Sequence, residues 1–450
     1  MSSVIGEMKG EIKGELKGER KGILEKMAKD KLVIGLDLSD EFSQVSYYGK
    51  NQEKPESVSM VVGSDQICVP TVLTKKNGEN IWCFGREAVN LYENQQGILV
   101  DHLVEKARKG DLIQVDHKEY DPVDLLTLFI KKCLAMIAVH APLEKVSVIM
   151  ITVNEPDSRM IEILDKAVET LRIKPDKVFY QSHTESAYHY MLHQAKDIWN
   201  HDVLILHLTS EGLLCRSMRK NIRTTPIVVL MEERKYANFC FEDFSGASEG
   251  RIKRKDQELH DILYAIMEGK LYSAVYLLGD GFEGEWCKES LKYMCRNRRV
   301  FRGNNMFSLG ACYGAREKIE TSELASKYIF LGKDKVKANI GMRVYREGEE
   351  VYMALLDAGM NWYDTSREID LILDREDTIK LIITPLNGIN TRNAHIYLTG
   401  IPVRPPRATR VHLELKMLSE KRLFVRVTDL GFGEFYPATN MQWTGELEVY

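Results

Sequence analysis

No apolar run in this 450-residue sequence approaches the roughly 20 residues that span a bilayer, and the first residues lack the apolar core of a signal peptide. The expectation is a cytoplasmic protein with no membrane partner. Cysteine is scarce and scattered: eight residues, at 68, 83, 133, 215, 240, 287, 295 and 312, form no Cys-x-x-Cys pair. That argues against a zinc or dithiol site and for reduced thiols in or near the core. No Ser/His/Asp order reads as a triad. His183, His189 and His193 could gather on and beside one helix, but no further ligand is in view, so no metal is expected. Net charge is only −4, which removes any global attraction to nucleic acid. The basic runs Arg251 to Lys255 and Arg296 to Arg302 then read as a solvated helix face and a loop.

What is present is organised around residues 31–49, Lys-Leu-Val-Ile-Gly-Leu-Asp-Leu-Ser-Asp-Glu-Phe-Ser-Gln-Val-Ser-Tyr-Tyr-Gly. An apolar strand interrupted by Gly35 and Asp37 meets a polar turn at Ser39 to Glu41 and resumes as an alternating strand, the pattern of a hairpin. An unsatisfied acid inside a buried strand costs several kcal/mol, roughly. Asp37 therefore calls for a cation, a phosphate-bound metal or backbone donors, unless it caps its own turn.

Residues 1–30 form a charged tail with a Gly-Glu-x-Lys repeat from 6 to 22. Each glycine costs a helix about 1 kcal/mol relative to alanine, which leaves a solvated tail or a short helix that orders on a partner. Strands and helices then alternate to residue 327. Val203 to Met218 repeats the opening strand-turn-strand, and Val275 to Gly281 is a third glycine-marked strand end. This is α/β architecture in two similarly built halves, 31–200 and 201–327. From 328 to 450 helical periodicity stops, and seven alternating strands separated by Gly, Asn, Asp and Pro turns mark an all-β sandwich.

Two sets of motifs converge on one family. Gly35 and Asp37 in strand-turn-strand, Cys68-Val-Pro-Thr-Val-Leu73 followed by Phe84-Gly-Arg-Glu-Ala88, the hairpin at 203–218, and Leu278-Gly-Asp-Gly281 followed by Leu309-Gly-Ala311 resemble the nucleotide-binding domain of the DnaK-type seventy-kilodalton chaperones. Ala394 to Lys416 and Arg422 to Asp429 are similar to the closing strands of that family's peptide-binding sandwich. Together these cover nearly the whole chain from residue 31. The resemblance implies a duplicated actin-like ATPase (ribonuclease H-like) fold followed by the sandwich. It places nucleotide-facing positions at Gly35, Asp37, Ser39, Gly212, Gly279 and Gly281. It places a peptide groove at Met342, Val344, Tyr345, Leu373, Ile379 and Leu381, flanked by Arg343 and Arg346.

The departures from the family are chemical. Its first phosphate loop, Asp-Leu-Gly-Thr-Thr, is here Asp37-Leu38-Ser39-Asp40-Glu41, with acids where backbone amides would approach phosphate. The second, Asp-Leu-Gly-Gly-Gly-Thr, is His207-Leu208-Thr209-Ser210-Glu211-Gly212, which loses the metal-facing acid. The family's catalytic lysine falls on Val89 and another acid falls near His183, with Glu185 an imperfect substitute. Between Cys215 and Val275 there is too little chain for the family's extra lobe. The sandwich is expected to lack a helical lid, since the chain stops at Tyr450. The expected function is a chaperone-like module that binds a protein or extended peptide segment on a degenerate ATPase scaffold, with no cofactor or only weak ATP or ADP with Mg. Two alternatives are an active ATPase using Asp37, Asp40 or Glu41 on the metal, and a structural protein that assembles through its N-terminal repeat.

Overall fold

The computed structural model describes residues 32–49, 52–60, 66–139, 145–241, 247–303, 305–346, 348–374, 377–386 and 391–449. The Gly-Glu-x-Lys repeat lies outside them. The chain divides into two compact units, 1–329 and 330–450.

The first unit is mixed α/β. Its first sheet contains β1 (Leu32–Asp37), β2 (Phe42–Tyr48), β3 (Glu56–Ser57), β4 (Val146–Val153) and β5 (Val178–Ser182), in the order β5-β4-β1-β2-β3. Its second sheet holds β6 (Asp202–Thr209), β7 (Gly212–Asn221), β8 (Ile227–Tyr236), β9 (Tyr272–Leu278) and β10 (Arg299–Arg302), in the order β10-β9-β6-β7-β8. In each sheet the first strand is central, antiparallel to the second and parallel to the fourth. The repeat read from residues 203–218 is thus a repeat of strand order. The basic run at 296–302 is not all loop: Arg299–Arg302 pairs in parallel with β9 as a sheet edge.

Local chemistry accounts for the helices. Among them are α1 (Leu103–Lys109), α2 (Pro122–Ala135), α3 (Ser158–Thr170), α4 (His183–Leu192), α5 (Glu249–Met267) and α6 (Met306–Ile319). The Asp121 side chain accepts from Val123 N ahead of Pro122 in α2, and the Asp157 side chain caps α3 by accepting from Met160 N. Every residue of β1 is buried, as expected of a strand covered on both faces. One cover is α6, whose Ala311, Cys312 and Ala315 pack with Val33, Val148 and Met150. Gly35 makes that approach possible, since a Cβ there would lie 2.2 Å from Ser308 O.

The second unit is all-β. Strands β11 (Ala338–Arg346), β12 (Glu349–Leu356), β13 (Ser366–Leu373), β14 (Thr378–Pro385), β15 (Arg392–Tyr397), β16 (Thr409–Met417), β17 (Arg422–Gly431) and β18 (Gln442–Glu448) form two antiparallel sheets, β12-β11-β14-β15 and β13-β16-β17-β18. The eighth strand was not legible because Gln-Trp-Thr-Gly-Glu-Leu-Glu is a largely exposed, polar edge. No helix among the described residues is long and apolar enough to cross a membrane.

Candidate functional site

In the first unit, chemistry-bearing side chains gather where β1 and β6 end. Asp37, the last residue of β1, is met by a side chain: its Oδ1 lies 2.8 Å from His183 Nε2, and both residues are buried. His183 opens α4, whose N-terminus is capped by Ser182 Oγ accepting from Glu185 N. Its ring stacks on Phe307 of α6, centroids 4.2 Å apart and planes 2° from parallel. The His207 ring meets the same Phe307 at 5.7 Å, and the Arg216 guanidinium lies 5.5 Å from it.

Arg216 is fully buried in β7. Its Nε donates to Glu233 Oε2 on β8 at 2.8 Å, and its Nη2 donates to Asn154 Oδ1 at 2.7 Å. Burial lowers its pKa, with Glu233 opposing the shift. Burial, and then the charges of Arg216 and His183, push the His207 imidazole down to about 3, so it is neutral. The fixed Arg216 guanidinium thus places a positive charge, offset by Glu233, close to the neutral His207 ring.

This geometry has a pH consequence. Because the folded state disfavours protonated His207, its contribution is complete above the ordinary imidazole pKa near 6.5 and is lost as pH falls toward 3. We expect about 2–3 kcal/mol of stability to go between pH 6.5 and 4, and His207→Gln to flatten that limb. Urea unfolding at stepped pH checks it; an unchanged acid limb in the variant would assign the loss to other groups.

The two turns are closed on protein partners. Ser39 Oγ donates to Phe42 O at 2.7 Å. Asp40 Oδ1 accepts from Val104 N and Glu105 N, at 2.9 and 3.1 Å, in the first turn of α1. Its carboxyl is raised by burial and lowered in part by those two amides. Glu41 Oε1 accepts from Ser210 N at 2.9 Å and from the Ser210 hydroxyl, which ties the first turn to the second.

The glycines expected to face nucleotide are used for close internal packing. Gly35 lies under α6, as described. At Gly212, with φ +125°, a Cβ would lie 2.6 Å from Tyr236 O. At Gly279 it would lie 2.2 Å from Leu208 O, and at Gly281 2.5 Å from the Leu208 side chain. Gly279-Asp-Gly281-Phe-Glu-Gly284 has the letter spacing of a dinucleotide turn, yet it leads into a 3-10 turn at Asp280–Phe282 rather than a helix whose N-terminus could face phosphate. Val89 is half-buried in the helix Gly85–Glu93.

The three histidines on and beside α4 do not converge. His189 Nε2 is 3.8 Å from Glu185, and His193 stacks on Tyr313 at 3.9 Å. Among the described residues no group of three or more His, Cys, Asp or Glu could hold a metal. Sequence reasoning missed Phe307, Asn154 and the Arg216–Glu233 pair. The legible signal was Arg216 itself, a charge inside the apolar run Gly-Leu-Leu-Cys-Arg-Ser-Met.

In the second unit the pleat divides the six groove positions. Met342, Ile379 and Leu381 are buried, and Val344 shares their inward parity on β11. Leu373 sits opposite buried Thr409, on the inward side of the other sheet. Tyr345 alone points outward, 74% exposed. Alternation with period two prevents it from sharing a pocket wall with the other five.

Comparison with known proteins gives families without an assigned function. No curated protein matches the chain. Residues 335–449 match a Domain of unknown function (DUF8552). Residues 54–333, more than half of the sequence, match the Family of unknown function (DUF5716) C-terminal, and the chain belongs to that family.

Proposed function

We propose that this protein is a non-catalytic scaffold: its first unit a closed, degenerate form of the duplicated actin-like ATPase fold, and its second a sandwich that holds an extended segment of a protein partner. The same order among the five strands named in each α/β sheet supports the duplicated fold. The division of eight alternating strands into two four-stranded sheets supports the sandwich. One observation carries the loss of catalysis: Glu41 from the first turn accepts hydrogen bonds from Ser210 in the second. The resemblance puts phosphate between those turns, and here a carboxylate already holds the amide. Asp37 and Asp40, the other acids a metal would need, are engaged by His183 and by the α1 amides. Phosphoryl transfer depends almost wholly on positioning and electrostatic stabilisation, so a site with these groups committed elsewhere does not turn over.

In the second unit, registered pairing of β11 with β14 runs from Ala338–Pro385 to Gly341–Ile382 and stops there. Beyond it lie Met342 and Val344 on one strand and Ile379 and Leu381 on the other. This is where an apolar segment would enter by strand addition and side-chain pockets.

Thermal melting with ATP, ADP and magnesium tests the reading. A ligand whose Kd exceeds its concentration stabilises by no more than about 0.4 kcal/mol, so 5 mM Mg-ATP is expected to raise Tm by under about 1 °C. A dose-dependent rise of several degrees, with hydrolysis abolished by Asp37→Ala, would overturn it.

A further inference from the structure

The two outer faces of the β region are built differently. On β13, β16, β17 and β18 the outward polar side chains pair: Asp370 with His412 at 2.8 Å, Glu414 with Arg426 Nε at 2.9 Å, and Glu446 with Arg422 at 3.4 Å. That face suits water. The outer face of β12-β11-β14-β15 carries Tyr352, Tyr345 and Tyr397 instead, 51%, 74% and 67% exposed. Arg343 lies opposite Tyr352, and Lys380 lies opposite His395. The His395 and Tyr397 rings are 6.2 Å apart and within 19° of parallel. Arg343 pairs with Glu350 at 3.0 Å, while Lys380 has no ion pair among the described residues.

The dimensions and charge select the occupant. Strands β11, β12, β14 and β15 are 9, 8, 8 and 6 residues long, and β11 is registered with β14 only as far as Gly341–Ile382. At about 3.3 Å per residue and about 4.8 Å between paired strands the face measures roughly 14 by 20–30 Å, on the order of 300–400 Å². A stable contact with a second copy needs about 800 Å² on each side. An extended segment of five residues spans about 17 Å and fits. Tyrosine offers broad stacking surface at little entropic cost, and Lys380 favours a carboxylate.

We infer that this tyrosine face docks a short extended peptide segment carrying Asp or Glu, held by stacking on Tyr345 and Tyr397 and by the Lys380 ammonium. The inference rests on the reading of the second unit as the binding part. Fluorescence anisotropy on the full chain tests it with three labelled probes: an octapeptide alternating Val and Glu, the same peptide with Lys for Glu, and an eight-nucleotide thymidine strand. The Glu peptide should bind at least tenfold more tightly than the other two. Tyr345→Ser combined with Tyr397→Ser should weaken it at least tenfold, and Lys380→Glu should reverse the preference between peptides, with melting unchanged because these side chains are exposed. Equal or tighter binding of the Lys peptide or the thymidine strand overturns the inference. If the Glu peptide binds all face variants like the parent, the strand edges hold it; the inference falls and the binding role of the second unit stands. If no probe binds the parent chain, both fall.

Discussion

Asp429→Ala is expected to cost the β region about 3–5 kcal/mol, because it strips the partner from a buried cation. Arg404 donates to both oxygens of Asp429, Nη1 to Oδ1 at 2.7 Å and Nη2 to Oδ2 at 2.8 Å, and the side chains are 4% and 0% exposed. The same carboxylate accepts from Gly431 N, Thr439 N and Thr439 Oγ1. Arg404 also donates to Pro437 O, so the pair fastens the segment after β15 to the one after β17. The Arg404 hydrogen bonds hold the Asp429 carboxyl well below the ordinary carboxylate range against the effect of burial. The stabilisation is accordingly complete above the ordinary carboxyl pKa and is lost as pH falls through the folded value. For a region of this size the loss corresponds to a fall in melting temperature of roughly 10–20 °C. A charge left buried causes most of that damage, so Arg404→Leu with Asp429→Leu should cost less than Asp429→Ala alone. A single variant that melts within about 2 °C of the parent would show that water or a neighbour satisfies Arg404 without the acid.

The second large effect is expected at Gly310. A Cβ on this residue of α6 would lie 2.0 Å from Ser186 O, 2.6 Å from its carbonyl carbon and 3.0 Å from its Cα. All three are backbone atoms of α4, so no side chain can turn aside. Gly310→Ala must push the two helices apart, which also loosens the His183–Phe307 and His193–Tyr313 stacks. Overpacking of this kind costs about 3 kcal/mol or more, exceeding the gain of about 1 kcal/mol from better helix propensity. Gly250 in α5 is the control, since nothing lies within 4 Å of its Cβ position. Gly250→Ala should be neutral or stabilising by up to about 1 kcal/mol. Urea unfolding of both variants checks the pair. Equal effects at the two positions would mean that α4 and α6 do not approach as closely as described.

Much of the fold was legible because local pattern carries it. The β1–β2 hairpin, the capped helix after Asp121, the repeated strand-turn-strand at 203–218 and the change to period-two alternation after residue 327 each depend on residues a few positions apart. The polar strand β18 and the basic edge strand β10 were not legible, because pairing with a neighbour, not composition, makes them strands. The candidate site divides in the same way. Asp37 was conspicuous as an acid in an apolar strand. His183 as its partner, 146 positions away in sequence, was not.

By itself the sequence determined the succession of a mixed α/β region and an all-β region, since hydrophobic periodicity and turn chemistry act within a few residues. It also determined that acids and hydroxyls, at Ser39 to Glu41 and at Ser210 to Glu211, fill the turns after β1 and β6. Only the tertiary structure decided what those groups do. Helix α6 packs across β1 and brings Phe307 between His183 and His207, Glu41 reaches Ser210, and the pleat turns Tyr345 away from Met342 and Val344. Each of these depends on how distant segments dock, and the free energy of docking is summed over the whole interface. No short window of sequence contains that sum.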